Sequence, residues 1–448
     1  TGPAIGRQAE RRREGMNAVH ADSEPCLSLH PVVRVRLSEQ LKLSKSSLWR
    51  RTHSELGAYF AALENGEPSE IGAEYKLSAA RHSLLAGDVN EGFRHYYLGY
   101  KRGRNDVSGA SRWSEHKTLQ LFSTELVSES NSSLTPLARA QLQASRATNR
   151  IALGRSEQAL PAALTSLTWF FQHACYADAL QIAGPLLSML IATGRLEIAL
   201  NLIKEIEASG AAHQDKVLNA AGQSFRGYIK LLQGNSSAAE DHFLAAETVL
   251  QRPSIDQAVL FPTLSAFYCR FLIETSNLDR AIERGLQTER WREQESWQLT
   301  VDSPSLQASD AMQLGLAFLE AGQFNEARIR LDFQVTVLQQ SSEWLYMPNA
   351  LIARARYHLV MKEREAAFAD LHLAQQLAEQ SDAKLSRWEA LLLFAEYHAR
   401  ASNKAYAHAF LDEARELGGM EEIALLRKKV DFIEALIEKS EPRRWPAS

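Results

Sequence analysis

Three cysteines, thirteen histidines and one serine flanked by glycines are the residues of this 448-residue chain that could carry chemistry. Cys26, Cys175 and Cys269 lie far apart and are odd in number. They form neither a disulfide framework nor a CxxC metal pair, and a reducing compartment is the natural reading. His358 and His398 each precede a turn by four residues, which could place them on neighbouring helices. A zinc site would need further ligands there, and none recurs, so the two read as seam residues. GQSFRG at 222–227 holds Ser224 between glycines, but it is not GxSxG and lies in a helical pattern, not at a strand-to-helix elbow. HExxH and GxxxxGK[ST] are both absent. With no phosphate loop and no acidic pair for Mg²⁺, the chain is expected neither to bind nor to hydrolyse ATP. The run at 280–298 mixes arginines with Trp291 and Trp297, as a nucleic-acid surface would. Glu283, Glu289, Glu293 and Glu295 neutralise it, which leaves a solvated helix face.

No catalytic, metal or cofactor group emerges, so the elements must be read for what they could hold. The chain is 45% apolar and 23% charged, with 50 basic and 54 acidic residues and a net charge of −4. No basic excess points to nucleic acid, and no apolar run approaches the roughly 20 residues that span a bilayer. The longest candidate, PLLSMLIATG, is interrupted at Ser188 and ends at Gly194. The N-terminus carries arginines such as QAERRRE at 8–14 but no apolar h-region, so it is not a secretory signal. It starts at Thr1, and the expectation is a cytoplasmic piece of something longer.

A cassette recurs along most of the chain. Small or polar residues at Gly154, Gly194, Gly234, Ser276, Gly322, Lys362 and Ser402 are each followed five residues later by alanine: Ala159, Ala199, Ala239, Ala281, Ala327, Ala367 and Ala407. Successive turns lie 40, 40, 42, 46, 40 and 40 residues apart. A more distant copy pairs Gly87 with Gly92. Apolar spacing predicts a helix on each side of every turn, the turn residue suiting a left-handed C-terminus and the alanine letting two axes approach. Seven residues before the turn stand Ala147, Gly227, Cys269, Gly315, Ala355 and Ala395, with Leu187 the exception. The chain is expected to be almost wholly helical from about 136 to 435.

This pattern resembles the tetratricopeptide repeat (TPR), best at Gly227, Gly234, Ala239, Phe243 and Ala246, and the resemblance covers residues 136–415. Upstream, Leu27-Ser28-Leu29-His30-Pro31-Val32-Val33-Arg34, followed by a pattern from His53 to Phe60, resembles the winged-helix junction of bacterial STAND signalling ATPases, relatives of the maltose-regulon activator. The two resemblances imply an all-α, right-handed superhelical solenoid of TPR-like helix pairs with a period of about 40 residues. They imply a tail at 1–26, a junction-like helical linker at 27–115, the array at 116–440 and a second tail at 441–448. The implied role is a non-enzymatic sensor arm that binds a protein, peptide or small-molecule trigger, with no membrane or nucleic acid, its nucleotide-switch domain missing. The alternative is a stand-alone TPR peptide receptor or adaptor, and a third reading is an enzyme whose catalytic part lies elsewhere.

In TPR proteins the residues six before the turn commonly face the concave groove, as do those four earlier again. Carried over, these are Thr148, Ser188, Tyr228, Arg270, Leu316, Arg356 and Glu396, with Met312 in the earlier set. Tyr228, Arg270 and Arg356 could clamp an anionic partner, since arginine offers a planar fork of donors. On that reading Arg270→Ala with Arg356→Ala weakens binding and leaves the melting temperature nearly unchanged.

Overall fold

The computed structural model describes residues 31–63, 69–101, 109–122, 134–213, 215–250, 261–292, 304–419 and 422–439. His30, Cys26 and the two tails lie outside them. Among the described residues every regular element is a helix. An N-terminal group comprises α1 (Pro31–Ser44), α2 (Ser46–Leu63), α3 (Ser69–Ala86), α4 (Val89–Phe93), continued by a π-helical stretch over Arg94–Lys101, and α5 (Gly109–Leu121). The boundary expected after residue 115 falls inside α5, whose Arg112 carbonyl and Glu115 carboxylate both accept hydrogen bonds from the Asn149 side-chain amide of the array.

Seven helix pairs follow. They are α6 (Pro136–Ala152) with α7 (Ser156–Gln172), α8 (Tyr176–Ala192) with α9 (Leu196–His213), and α10 (Lys216–Leu232) with α11 (Ser236–Leu250). Next come α12 (Phe261–Glu274) with α13 (Leu278–Arg292), and α14 (Pro304–Glu320) with α15 (Phe324–Ser341). The last two are α16 (Met347–Val360) with α17 (Arg364–Gln380), and α18 (Lys384–Arg400) with α19 (Lys404–Glu416), after which α20 (Ala424–Lys439) covers the end. Each helix packs on its pair partner and on the next pair, which makes a TPR-like solenoid.

All seven expected turn residues have positive φ, from 58° at Ser402 to 76° at Gly234. In each turn the amide one residue further on donates back across five residues, as Arg155 does to the Arg150 carbonyl at 2.8 Å. That is the Schellman closure of a helix end. The seven cassette alanines are completely buried. The more distant copy works the same way: Gly87 has φ 92°, and Gly92 packs against Leu84 so closely that a Cβ would collide with it.

At three of the glycine turns another part of the array presses on the backbone, while at Gly322 a Cβ would meet nothing within 4 Å. A Cβ at Gly154 would lie 3.0 Å from Ser381 Cβ, and one at Gly234 would lie 2.9 Å from Ala424 Cβ; Gly194 faces the Trp388 ring. The turn at Lys362 is exposed and tolerates a side chain at φ 64°. Lys362→Gly is expected to stabilise the chain by about 0.5–1 kcal/mol, because relief of left-handed strain exceeds glycine's extra unfolded-state freedom. Equilibrium urea unfolding measures it.

These contacts reveal that the array closes on itself. The turn edge of the first three pairs docks on α16–α18 and α20. The Leu345 amide donates to the Ala152 carbonyl at 3.4 Å, and Ser156 Oγ donates to the Ser381 carbonyl at 3.1 Å. Arg112 of α5 forms a buried ion pair with Glu343, which follows α15. Trp388, 1% exposed, lies between Gly194 and Gly419.

The His53-to-Phe60 pattern serves helix packing. His53 and His82 meet Nδ1 to Nδ1 at 2.7 Å, and Phe60 stacks on His82. Burial, then the charges of His53 and Arg81, lowers His82 to about 4. A histidine neutral when folded but titrating near 6.5 when unfolded contributes stability above that value and loses it as pH falls toward 4. Acidification through that window should loosen α2 from α3, read by the fluorescence of Trp49, which sits against His53.

A cavity enclosed by the array

The inner faces of the helices surround a cavity of about 400 Å³. One wall is α8, which contributes Gln181, Gly184, Pro185, Ser188 and Ala192. Those positions recur at three- and four-residue steps, so they form one helical face. Pro185 sits inside this helix, and having no amide hydrogen it leaves the Gln181 carbonyl without its helical donor. Gly184 has nothing within 4 Å of the place where a Cβ would stand, so it opens onto the cavity. The opposite wall comes from α14 and α15 with Met312, Gln313, Gln334 and Leu338.

Polar groups converge on an otherwise apolar lining. The side-chain carbonyls of Gln313 and Gln334 are buried and accept no hydrogen bond from the described residues. Gln334 donates to the Ala350 carbonyl at 3.2 Å, which fixes its amide. Tyr97 and Gln141 both donate to Asp178, at 2.7 and 3.2 Å. Tyr346 is hydrogen bonded to Ser188, and burial with nearby Glu343 raises its phenol far above the ordinary value.

At one end the cavity meets a cluster of charges through Tyr228 and Arg270. Arg270 Nε lies 2.9 Å from Glu274, and its Nη2 donates to Glu389 of α18 at 3.1 Å. Lys429 of α20 approaches Glu389 at 3.9 Å. Burial alone would raise Glu274, but Arg270, then Lys429 and Arg356, hold it down to about 2. Burial, then Arg356, pulls Lys429 down to about 8. Tyr228 stacks on Phe267 at 4.6 Å, and burial pushes its phenol up to about 12.

The structure brings together Thr148, Ser188, Tyr228, Arg270 and Met312 of the expected groove residues on one cavity lining. It removes three others from that surface. Leu316 is 4% exposed and belongs to the core with Leu331 and Phe318. Glu396 pairs with Arg400 on its own helix and Arg356 faces the charge cluster; neither lines the cavity. The cause is the superhelical twist. The lining moves from the C-terminal half of α6 to the N-terminal ends of α16 and α18, at Asn349 and Leu385, so a fixed offset from each turn leaves the groove. Arg270 is also corrected in kind: it is a buried, doubly paired cation and not a solvated groove residue.

Sequence reading missed Gly184, Pro185, Gln141, Gln313 and Gln334. Only the Gly-Pro pair inside an otherwise helical pattern carried a signal, since proline there is disfavoured without a local reason. Ser224 of GQSFRG is buried inside α10, and His398 stacks between Tyr406 and Phe410. Among the described residues no group of three or more histidines, cysteines or carboxylates could hold a metal, and no helix is long and apolar enough to cross a membrane.

No protein-family model matches the chain, and no curated protein matches its sequence. Among solved structures, a Rap protein complexed with competence and sporulation factor overlaps 77% of this chain and 99% of its own, at 14% identity and a TM-score of 0.43. A signal-transduction ATPase with numerous domains (STAND) carrying a tetratricopeptide repeat sensor, from Pyrococcus horikoshii, overlaps 92% of this chain at 11% identity and a TM-score of 0.38. This chain spans 63% of the length of that ATPase. Likenesses this loose do not bear on what the protein binds.

Proposed function

We propose that this protein is a recognition module that takes an extended peptide into its central cavity, as the sensor arm of a larger STAND-type switch. One observation carries the binding role: a half-open, mainly apolar cavity whose lining includes the buried side-chain carbonyls of Gln313 and Gln334, which accept no hydrogen bond from the described residues. A cavity of this size falls within the range of about 300–1,000 Å³ usual for ligand sites. Peptide amides supply the missing donors, and a few apolar side chains fill the rest. Attachment to a larger switch is supported at the other end of the molecule. Leu37, Leu41 and Leu43 of α1 and Leu48 and Tyr59 of α2 stand exposed, a surface that a preceding domain would cover.

The test is affinity selection from a random hexapeptide library, with peptides identified by mass spectrometry. Wild type should retain a defined subset. Gly184→Trp should release it, because a Cβ there meets nothing within 4 Å and the indole projects into the cavity. Gly184→Ala should retain it and gain about 0.5–1 kcal/mol of stability from higher helix propensity. Equal retention by Gly184→Trp, with its circular dichroism unchanged, would place the peptides elsewhere and end the reading.

A further inference from the structure

The charge cluster beside the cavity is unbalanced. Arg270, Arg356 and Lys429 bring three positive charges, while Glu274 and Glu389 bring two negative ones. They come from α12, α16, α18 and α20, which converge only because the array closes. Arg270 is satisfied by both carboxylates. Lys429 is not: its Nζ is shielded from solvent, donates no hydrogen bond to the described residues and reaches Glu389 only at 3.9 Å. Arg356 makes no ion pair with any described residue, yet it is near enough to act on both carboxylates. Buried cations are ordinarily paired and hydrogen bonded, because desolvation without compensation is severe.

We infer that a carboxylate of the bound peptide docks at this pole, hydrogen bonded to Lys429 and facing Arg270 and Arg356. The inference rests on the peptide reading and adds the chemistry of one end. A single negative charge brings the cluster to neutrality, whereas a phosphate dianion would reverse it. Arg270 and Tyr228 belong to both the cavity lining and the cluster, so a chain lying in the cavity ends beside the pole; Lys429 and Arg356 stand behind that lining, and their long side chains must swing toward the cavity to meet the carboxylate. The flat guanidinium of Arg356 offers paired donors to a carboxylate, and the Lys429 ammonium supplies a third. The carboxylate has two sources, the peptide C-terminus or an acidic side chain.

Three hexapeptide libraries separate them, each without other anions: free C-termini and no Asp or Glu, amidated C-termini and no Asp or Glu, and amidated C-termini with one Asp. Wild type should bind the first or the third about tenfold or more tightly than the second, in keeping with charge-assisted hydrogen bonds. Preference for the first assigns the C-terminus, and preference for the third assigns a side chain. Lys429→Met should keep the fold and erase the preference, while Lys429→Arg should keep much of it. Equal binding of all three libraries would overturn the carboxylate pole and leave the peptide reading intact. If no library binds, the peptide reading falls and acetate alone decides the pole. At constant ionic strength, acetate in place of chloride should raise the melting temperature of wild type and not of Lys429→Met. The same response in both proteins would overturn the inference.

Discussion

Arg270→Ala is expected to destabilise the folded chain by about 3–5 kcal/mol, the range for breaking a buried ion pair from one side. The guanidinium is 11% exposed and is shared by Glu274, 20% exposed, and Glu389, 12% exposed. Removing it leaves two desolvated carboxylates facing each other, with only Lys429 and Arg356 to oppose them. Arg356→Ala, which breaks no ion pair, should shift stability by under about 1 kcal/mol. Replacing Arg270, Glu274, Glu389 and Lys429 together with methionine or leucine should recover much of the loss, since the ion-paired charges of the cluster are then removed together. Urea unfolding followed by circular dichroism measures all three. An Arg270→Ala protein as stable as wild type would show that the cluster is solvated and that the array does not close there. The pH dependence has a fixed sign on each side. Glu274, depressed in the folded chain, contributes stability above about 4.5 that is lost as pH falls toward 2. Lys429 is also depressed, and because it is a base its burial opposes folding at neutral pH. Stability should therefore rise as pH climbs from about 8 toward 10.5.

The second large effect belongs to Trp388. Trp388→Ala should lower stability by about 3–5 kcal/mol, as expected for emptying the site of a buried tryptophan. The ring touches the turns at Gly194 and Gly419, so its loss also unseats the contact between early and late pairs. Limited proteolysis tells local from global damage. Cleavage should appear first near the 193–195 and 417–419 turns, while the peptide bonds of α14 and α15 stay protected. Trp388→Phe keeps most of the apolar volume and should lose less than half as much. Uniform proteolysis in Trp388→Ala would mean that the tryptophan supports one core and not a closure.

The repeat was legible because its signals are local. A left-handed residue at the end of a helix and an alanine five residues on are read from one short segment, and the buried alanines from Ala159 to Ala407 and the turns from Gly154 to Ser402 all follow that rule. The groove face could be read only while it kept step with the turns. Thr148, Ser188, Tyr228 and Arg270 remain in step; Leu316, Arg356 and Glu396 do not, because superhelical twist accumulates from pair to pair and appears in no single segment. Closure left one trace that went unread. Glycine fills the turns at 154, 194 and 234, where later helices press on them, while serine or lysine suffices at 276, 362 and 402; the trace is faint because glycine also fills the turn at 322, where nothing lies within 4 Å.

That closure changes how the chain must fold and fail. In an open solenoid each unit meets only its neighbours, so ends fray and units melt nearly independently. Here Ser156 is bonded to Ser381 and Arg112 to Glu343, across 225 and 231 positions of chain. Such separations raise the contact order, and the entropy of joining distant segments is lost before their contacts form. Folding should therefore be slow for an all-helical protein, with the last pairs locking the first. Melting should be one sharp transition in which damage at either end is felt at the other.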